Sequence, residues 1–190
     1  NIWSRIPNWA GGQWKHQSMT AYYHYNYKQG TKDFAIDSFM SKGMDDLGYL
    51  PDRKGNIWQW DRAHRWTMQE GSSYMVLDYH QALETRYKDE TQFTEVFHSI
   101  RVVIDKATHK CLKVCQTEAV QTYTCPEPDI MKVACSIKTF DEDGQPTALQ
   151  KGISFSYRIK GAGFVKNPNI RNYFAQYLTS HGLADLVPRI

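Results

Sequence analysis

The chain has 190 residues, of which 41% are hydrophobic and 23% charged, with a net charge of +3. That length can bury a core unaided and fits a single domain spanning 1–190, and the small, scattered positive charge excludes a nucleic-acid footprint. No apolar run approaches the roughly 20 residues that cross a bilayer, so no transmembrane segment is expected. The chain begins at Asn1 without a basic stretch leading into an apolar one, which implies that any signal peptide has been removed.

Trp3, Ile6 and Trp9 are spaced for one short helical turn. From there alternation with a period of two dominates, as in strands with one buried face. Met19, Ala21, Tyr23, Tyr25 and Tyr27 share one side of the first long candidate, with His24 and Asn26 on the other. After Gln29-Gly30, Phe34, Ile36 and Met40 line a second candidate. A third covers Asn56–Arg62, entered through Asp52-Arg53-Lys54-Gly55, and a fourth runs from Ser73 to about Leu83. From Phe93 onward Val96, Ile100, Val102 and Ile104 form an apolar row that includes His98. Lys110–Ala119, Ile130–Phe140 and Gly152–Lys160 complete about eight strands, with Asp143-Gly144 marking a hairpin. Short connections favour an antiparallel meander, which closes into a barrel or forms a strongly curved sheet.

One helix follows. Asn167 is the N-cap and Pro168 the first helical residue. Ile170, Tyr173, Phe174, Tyr177 and Leu178 recur at helical spacing, an apolar stripe suited to lie on a sheet. Gly182 and Leu183 supply a Schellman-type stop after His181.

All four cysteines, Cys111, Cys115, Cys125 and Cys135, fall within 25 residues. Their intervals lack the paired C-x-x-C of structural zinc, so disulfides are expected rather than a metal. Cys111 and Cys115 are about 13 Å apart along one strand and cannot bond each other. Nested bridges, Cys111–Cys135 with Cys115–Cys125, are the simplest arrangement, and a crossed pairing through a loop at Cys125 is the alternative. Bridges imply an oxidising compartment, hence a secreted or periplasmic protein. The absence of any Asn-x-Ser/Thr acceptor favours the periplasm.

The layout resembles the lipocalins and their wider calycin relatives. Gly12-Gln13-Trp14 matches the Gly-x-Trp of the family's first strand, and the terminal helix ending at His181-Gly182-Leu183 is similar. The resemblance implies that Trp14 packs across a barrel floor beneath an arginine from a late strand, for which Arg158 is the positional candidate. The family's Thr-Asp-Tyr motif is only echoed by Leu77-Asp78-Tyr79. The short strand that follows the family's helix has only Ala184–Ile190 to form it.

No complete catalytic constellation, cofactor motif or metal spacing is present, so no cofactor is expected. Aromatics make up 14% of the chain, and Trp58, Trp60, Arg62, His64 and Trp66 form a period-two row that suits either a packed sheet face or a ligand surface. The leading expectation is a non-catalytic binding protein outside the cytoplasm. It would hold an apolar or amphipathic small molecule in an aromatic-lined barrel, contacted by Tyr23, Tyr25, Trp58, Trp60, Arg62 and His98. An interaction module recognising a protein or glycan through exposed Trp58, Trp60 and Trp66 is a second reading. A small isomerase, lyase or hydrolase is the third, with His98 or His24 carrying the proton, Asp78 or Arg62 as partner, and His80 joining them inside the barrel.

Overall fold

Long β-branched and aromatic strands, folded back on one another by short turns, make up most of the molecule. A computed structural model describes residues 3–16, 20–37, 44–47, 50–60, 65–158 and 169–189. Its elements, in chain order, are β1 (Trp3–Ile6), a 3₁₀ turn (Asn8–Ala10), β2 (Gly12–His16), β3 (Thr20–Asn26), β4 (Thr31–Asp37), β5 (Met44–Leu47), β6 (Leu50–Pro51) and β7 (Ile57–Trp60). Then come β8 (Arg65–Glu70), β9 (Tyr74–Asp89), β10 (Gln92–Asp105), β11 (Cys111–Glu127), β12 (Ile130–Phe140), β13 (Pro146–Arg158), the helix α1 (Asn169–Ser180) and a closing 3₁₀ segment (Ala184–Arg189).

The main antiparallel sheet runs β4-β3-β13-β12-β11-β10-β9-β8, with β2 also beside β13 and β5 beside β2. β3 pairs with Ala148–Ile153 and β2 with Ser156–Arg158, so the two share one side of β13. A small sheet, β1-β7-β6, carries the N-terminal segment. The main sheet is open, with β4 and β8 at its ends. Of the two anticipated forms it is therefore the curved sheet and not the closed barrel. Its long strands carry register shifts at Gln92/Phe93, His98/Ser99, Val103/Ile104, Thr124/Glu127 and Thr139/Phe140. Each adds a residue on one strand only, which bends that strand and raises its twist.

Turn chemistry sets the hairpins. The Asp105 carboxylate accepts from the amides of Ala107 (2.8 Å) and Thr108 (3.0 Å) between β10 and β11. Asp141 does the same for Asp143 and Gln145, each at 2.9 Å, around the anticipated Asp143-Gly144 turn.

Each face of the main sheet has its own core. On the first, here called the inner face, Phe93, Tyr123, Met131 and Val133 pack with Ile6, Ala10 and Trp14 of the N-terminal segment. The Phe93 and Tyr123 rings stack at 4.5 Å. On the opposite, helix face, Ile130, Ile153, Phe155 and Tyr157 pack under Phe174 and Leu178 of α1. The helix falls within the expected Pro168–His181; Asn167 and Pro168 lie outside the described residues. Its end is a Schellman motif: Leu183 N–H donates to Leu178 O (2.8 Å), Gly182 N–H to Thr179 O (3.1 Å), and Gly182 has φ +73°. The tail after it is 3₁₀ rather than strand.

Several sequence expectations are corrected here. Trp3–Ile6 is a strand rather than a helical turn, because it pairs with β7 in the register Trp3↔Trp60 to Ile6↔Ile57. The aromatic row through Ile57–Thr67 is not one strand. Trp58 and Trp60 belong to β7 of the small sheet, Trp66 to β8 of the main one, and Arg62 and His64 lie outside the described residues.

The disulfides are absent: all four cysteines are unpaired. The expected loop at Cys125 is instead part of β11, a single strand that holds Cys111, Cys115 and Cys125 together. Register puts Gln121 opposite Cys135. Cys125 is therefore displaced from Cys135 by about 13 Å along the strand, and Cys115 by about 20 Å, against the ~7 Å Cα limit of a bridge. The bulge at Val103/Ile104 also sets Cys111 opposite Ile104 and Cys115 opposite Arg101, on different faces.

Candidate functional site

β10 decides which side chains face inward, and its more deeply buried row is the one that carries Glu95 and Ser99 among phenylalanines. Phe93, Glu95, Phe97 and Ser99 are all buried, whereas His98, within the apolar row, is exposed. Bonding across the strands is what makes this burial tolerable. His80 Nδ1 lies 2.7 Å from Ser99 Oγ, and the His80 ring packs on Phe97 at 4.7 Å. Register extends this row across four strands as His80, Ser99, Thr117 and Thr139, each at most 9% exposed.

One row further along, Asp78 faces Arg101. The pair is bidentate, Nε to Oδ1 at 2.7 Å and Nη2 to Oδ2 at 2.8 Å. Burial works to lower the Arg101 pKa, but the hydrogen bonds and charge of Asp78 outweigh it and the pKa rises above its ordinary value.

Toward the apolar cluster, Glu95 is fully buried and its Oε2 accepts from Gln59 Nε2 at 2.8 Å. Gln59 comes from β7, so this contact ties the small sheet to the large one. Gln59 is 1% exposed, and its Oε1 accepts from no described residue. Nearby, Tyr123 Oη donates to Gln121 Oε1 at 2.5 Å. Burial, only partly offset by a hydrogen bond from Gln121, pushes the Cys135 thiol up to about 11.

The inner face is closed at one end by the N-terminal segment. Trp14 is fully buried and its Nε1 donates to Ala10 O at 2.8 Å. Arg158 lies over the Trp14 ring, 4.4 Å from its centroid. Its three nitrogens donate to Asp129 Oδ1 (3.0 Å), Gly11 O (2.6 Å) and Trp9 O.

Among the described residues, the anticipated site residues are divided between the two faces of the main sheet and the small sheet. Asp78 and His80 lie on the inner face, and the register Gln150↔His24 puts half-buried His24 on that face as well. His98 is on the helix face, 57% exposed, with Nδ1 3.8 Å from Glu118 Oε2. It lines a shallow open depression of about 240 Å³ with Gln81, Gln116, Glu118 and Phe140. Tyr25 stands opposite Leu149, a helix-face position, and packs edge-on against Tyr27 at 4.9 Å. Tyr23 takes the register position opposite Lys151. Trp58 is half-buried on the small sheet, its Nε1 donating to Asp52 Oδ2 at 3.2 Å.

Glu95, Gln59, Ser99 and Arg101 carry no sequence signature that singles them out as a group. A signal exists in one place: Phe93 and Phe97 flank Glu95 at period two, an alternative core row of the same strand. Among the described residues no group of three or more His, Cys, Asp or Glu is placed to hold a metal ion, and no helix is long and apolar enough to cross a membrane. No known family model matches the chain, and no curated protein is similar to it in sequence.

Proposed function

We propose that the protein is a non-catalytic carrier, lipocalin-like in layout, that holds an amphipathic small molecule against the inner face of its sheet. One observation carries this reading. Gln59 Oε1 is a buried acceptor without a protein donor among the described residues, beside the buried Glu95 carboxylate, where the apolar cluster of Phe93, Tyr123 and Met131 meets the polar row of His80 and Ser99. A buried acceptor left unsatisfied costs about 1–3 kcal/mol, and a ligand head group with an N–H or O–H recovers it while the ligand's apolar body lies along the aromatic side.

Binding is favoured over catalysis by how the polar groups are engaged. Asp78 is committed to Arg101, His80 is engaged with Ser99, and His98, one of the two proton carriers of the enzyme reading, is on the other face. The Trp14–Arg158 stack supports the lipocalin-like layout, since the resemblance anticipates that pair. The extracytoplasmic expectation rested on bridged thiols, and four unpaired cysteines remove its support.

Displacement of a fluorescent lipophilic dye tests the proposal. Dodecylamine and dodecanol, whose heads donate hydrogen bonds, should displace the dye at lower concentration than methyl dodecanoate, whose head only accepts. Gln59→Leu should abolish that preference. Failure of the dye and all three amphiphiles to bind at about 100 μM, weaker than a typical specific site, overturns it.

A further inference from the structure

We propose that the inner face carries a second binding site, for the carboxylate of a small aliphatic acid, built from Thr117, Thr139 and the Nη1 of Arg101. Thr117 and Thr139 stand directly opposite each other on β11 and β12, 5% and 8% exposed. Ser99, beside Thr117 in the same row, has its hydroxyl engaged with His80 at 2.7 Å. The Thr139 contact to Thr147 at 3.3 Å uses the Thr139 carbonyl, not its hydroxyl. Among the described residues neither threonine hydroxyl has a hydrogen-bond partner, although opposed threonines can bond each other. Two donors, each more than nine-tenths buried, thus face the same side of the sheet without an acceptor, a condition buried polar groups rarely show.

Arg101 adds a third donor group, one row along on β10. Its Nε and Nη2 are given to Asp78, and Nη1 is bonded to none of the described residues. The reach of the guanidinium shows in two thiols on either side of the threonines. Burial raises the Cys115 thiol, opposed by the charges of Lys113 and Arg101. Burial also raises the Cys135 thiol, opposed by a hydrogen bond from Gln121 and by the charge of Arg101. Thr117 and Thr139 lie between these two cysteines, beyond Cys115 on β11 and beyond Cys135 on β12.

Donors and charge select the ligand. Directly opposite residues have Cβ atoms about 4.5–5.5 Å apart, and a carboxylate set between two hydroxyls accepts from each at about 2.5–2.7 Å. Lys113 is in no ion pair among the described residues, so Arg101 and Lys113 against Asp78 leave one positive charge in excess. Asp141 accepts from amides of its own turn. One excess charge suits a monoanion better than a phosphate dianion. The neighbouring row, with Phe97 and Ala119, is apolar and buried, which suits an aliphatic tail. The site does not depend on a head group at Gln59, whose partner Glu95 lies about 13 Å from Ser99 along β10.

Hexanoate is the probe, followed near neutral pH by NMR through the signals of Thr117, Thr139 and Ala119. It should shift them saturably with a dissociation constant of about 1 mM, and hexan-1-ol and inorganic phosphate should bind at least about tenfold more weakly. Thr117→Val combined with Thr139→Val keeps the shape, removes both hydroxyls and should weaken hexanoate about 30-fold or more. The thermal midpoint of this double variant should stay or rise, because two unpartnered hydroxyls leave the interior, which separates lost binding from lost folding. Thr117→Ser keeps a hydroxyl and should bind hexanoate within about threefold of the wild type. Absence of a saturable shift up to about 50 mM hexanoate overturns the proposal. So does hexan-1-ol or phosphate binding as tightly as hexanoate, or a double valine variant that binds hexanoate unchanged.

Discussion

Arg158 joins two ends of the chain by lying over Trp14 at 4.4 Å while its fork reaches two carbonyls of the N-terminal segment, those of Trp9 and Gly11. The cation–π contact adds about 1–2 kcal/mol in a desolvated setting, and the fork supplies donors to carbonyls that the fold removes from water. Lysine keeps the charge but has one nitrogen in place of three, and cannot reach Asp129, Gly11 and Trp9 together. Arg158→Lys should therefore lower stability by about 2 kcal/mol. In urea the midpoint should fall at constant m-value, and an unchanged midpoint would show the fork to be dispensable.

Gly12 shares this junction. Its φ is +112°, a conformation side chains rarely adopt, and a Cβ there would meet Arg158 Nη1 at 2.9 Å. Gly12→Ala should cost about 2–3 kcal/mol, combining backbone strain with the displaced guanidinium. In an Arg158→Ala background the steric part disappears, so the additional cost of Gly12→Ala should drop to about 1–2 kcal/mol. Additive costs in the double-mutant cycle would mean that Arg158 is not pressed against this turn.

Four unpaired cysteines make a direct prediction. Titration with Ellman's reagent in denaturant, without reductant, should find four thiols. In the native protein Cys111, the exposed one, should react first and Cys135 last, since burial holds the Cys135 thiol protonated. A count of zero would restore the bridges expected from spacing.

Local patterns are legible in the sequence, while the choice between faces is not. β12 coincides with the anticipated Ile130–Phe140, and α1 with its Gly182 stop matches its apolar stripe, because both signals lie within a dozen consecutive residues. β10 offers two core rows, and periodicity alone favours the apolar one that contains His98. The structure buries Glu95 and Ser99 more deeply than Ile100 or Val102, and it can do so because Gln59 and His80 arrive from other strands to bond them. Such partners, 36 residues away for Gln59, leave no trace in the periodicity. The same limit explains the cysteines, whose pairing depends on where β11 ends, and β11 runs on through Cys125. Arg158 over Trp14 is foreseeable because a short motif and a family resemblance mark both residues.

The helix stop is worth a measurable amount. Gly182 has φ +73°, and a Cβ added there would have no neighbouring atom within 4 Å, so alanine is strained but not crowded. Gly182→Ala should cost about 1 kcal/mol, with the loss confined to backbone conformation. Amide exchange should accelerate at Leu183, whose N–H closes the motif onto Leu178 O. A stability loss without faster exchange at Leu183 would place the effect elsewhere.

Cys135 gives the fold a pH dependence of definite sign. In the folded chain its thiol is raised to about 11 by burial, from an ordinary value of 9.0. Below pH ~9 the thiol is protonated in both folded and unfolded chains and nothing is lost. Between about 9 and 11 the unfolded chain ionises while the folded one resists, so stability falls across that window, by up to about 2–3 kcal/mol for this one group. Tyrosines and lysines titrate in the same range, so the contribution of Cys135 must be isolated by difference. Cys135→Ala removes the thiol and should make urea midpoints decline less steeply from pH 9 to 11 than in the wild type, whatever its effect at pH 7. Parallel curves for the two proteins would mean that the Cys135 thiolate is as well solvated in the fold as in the open chain.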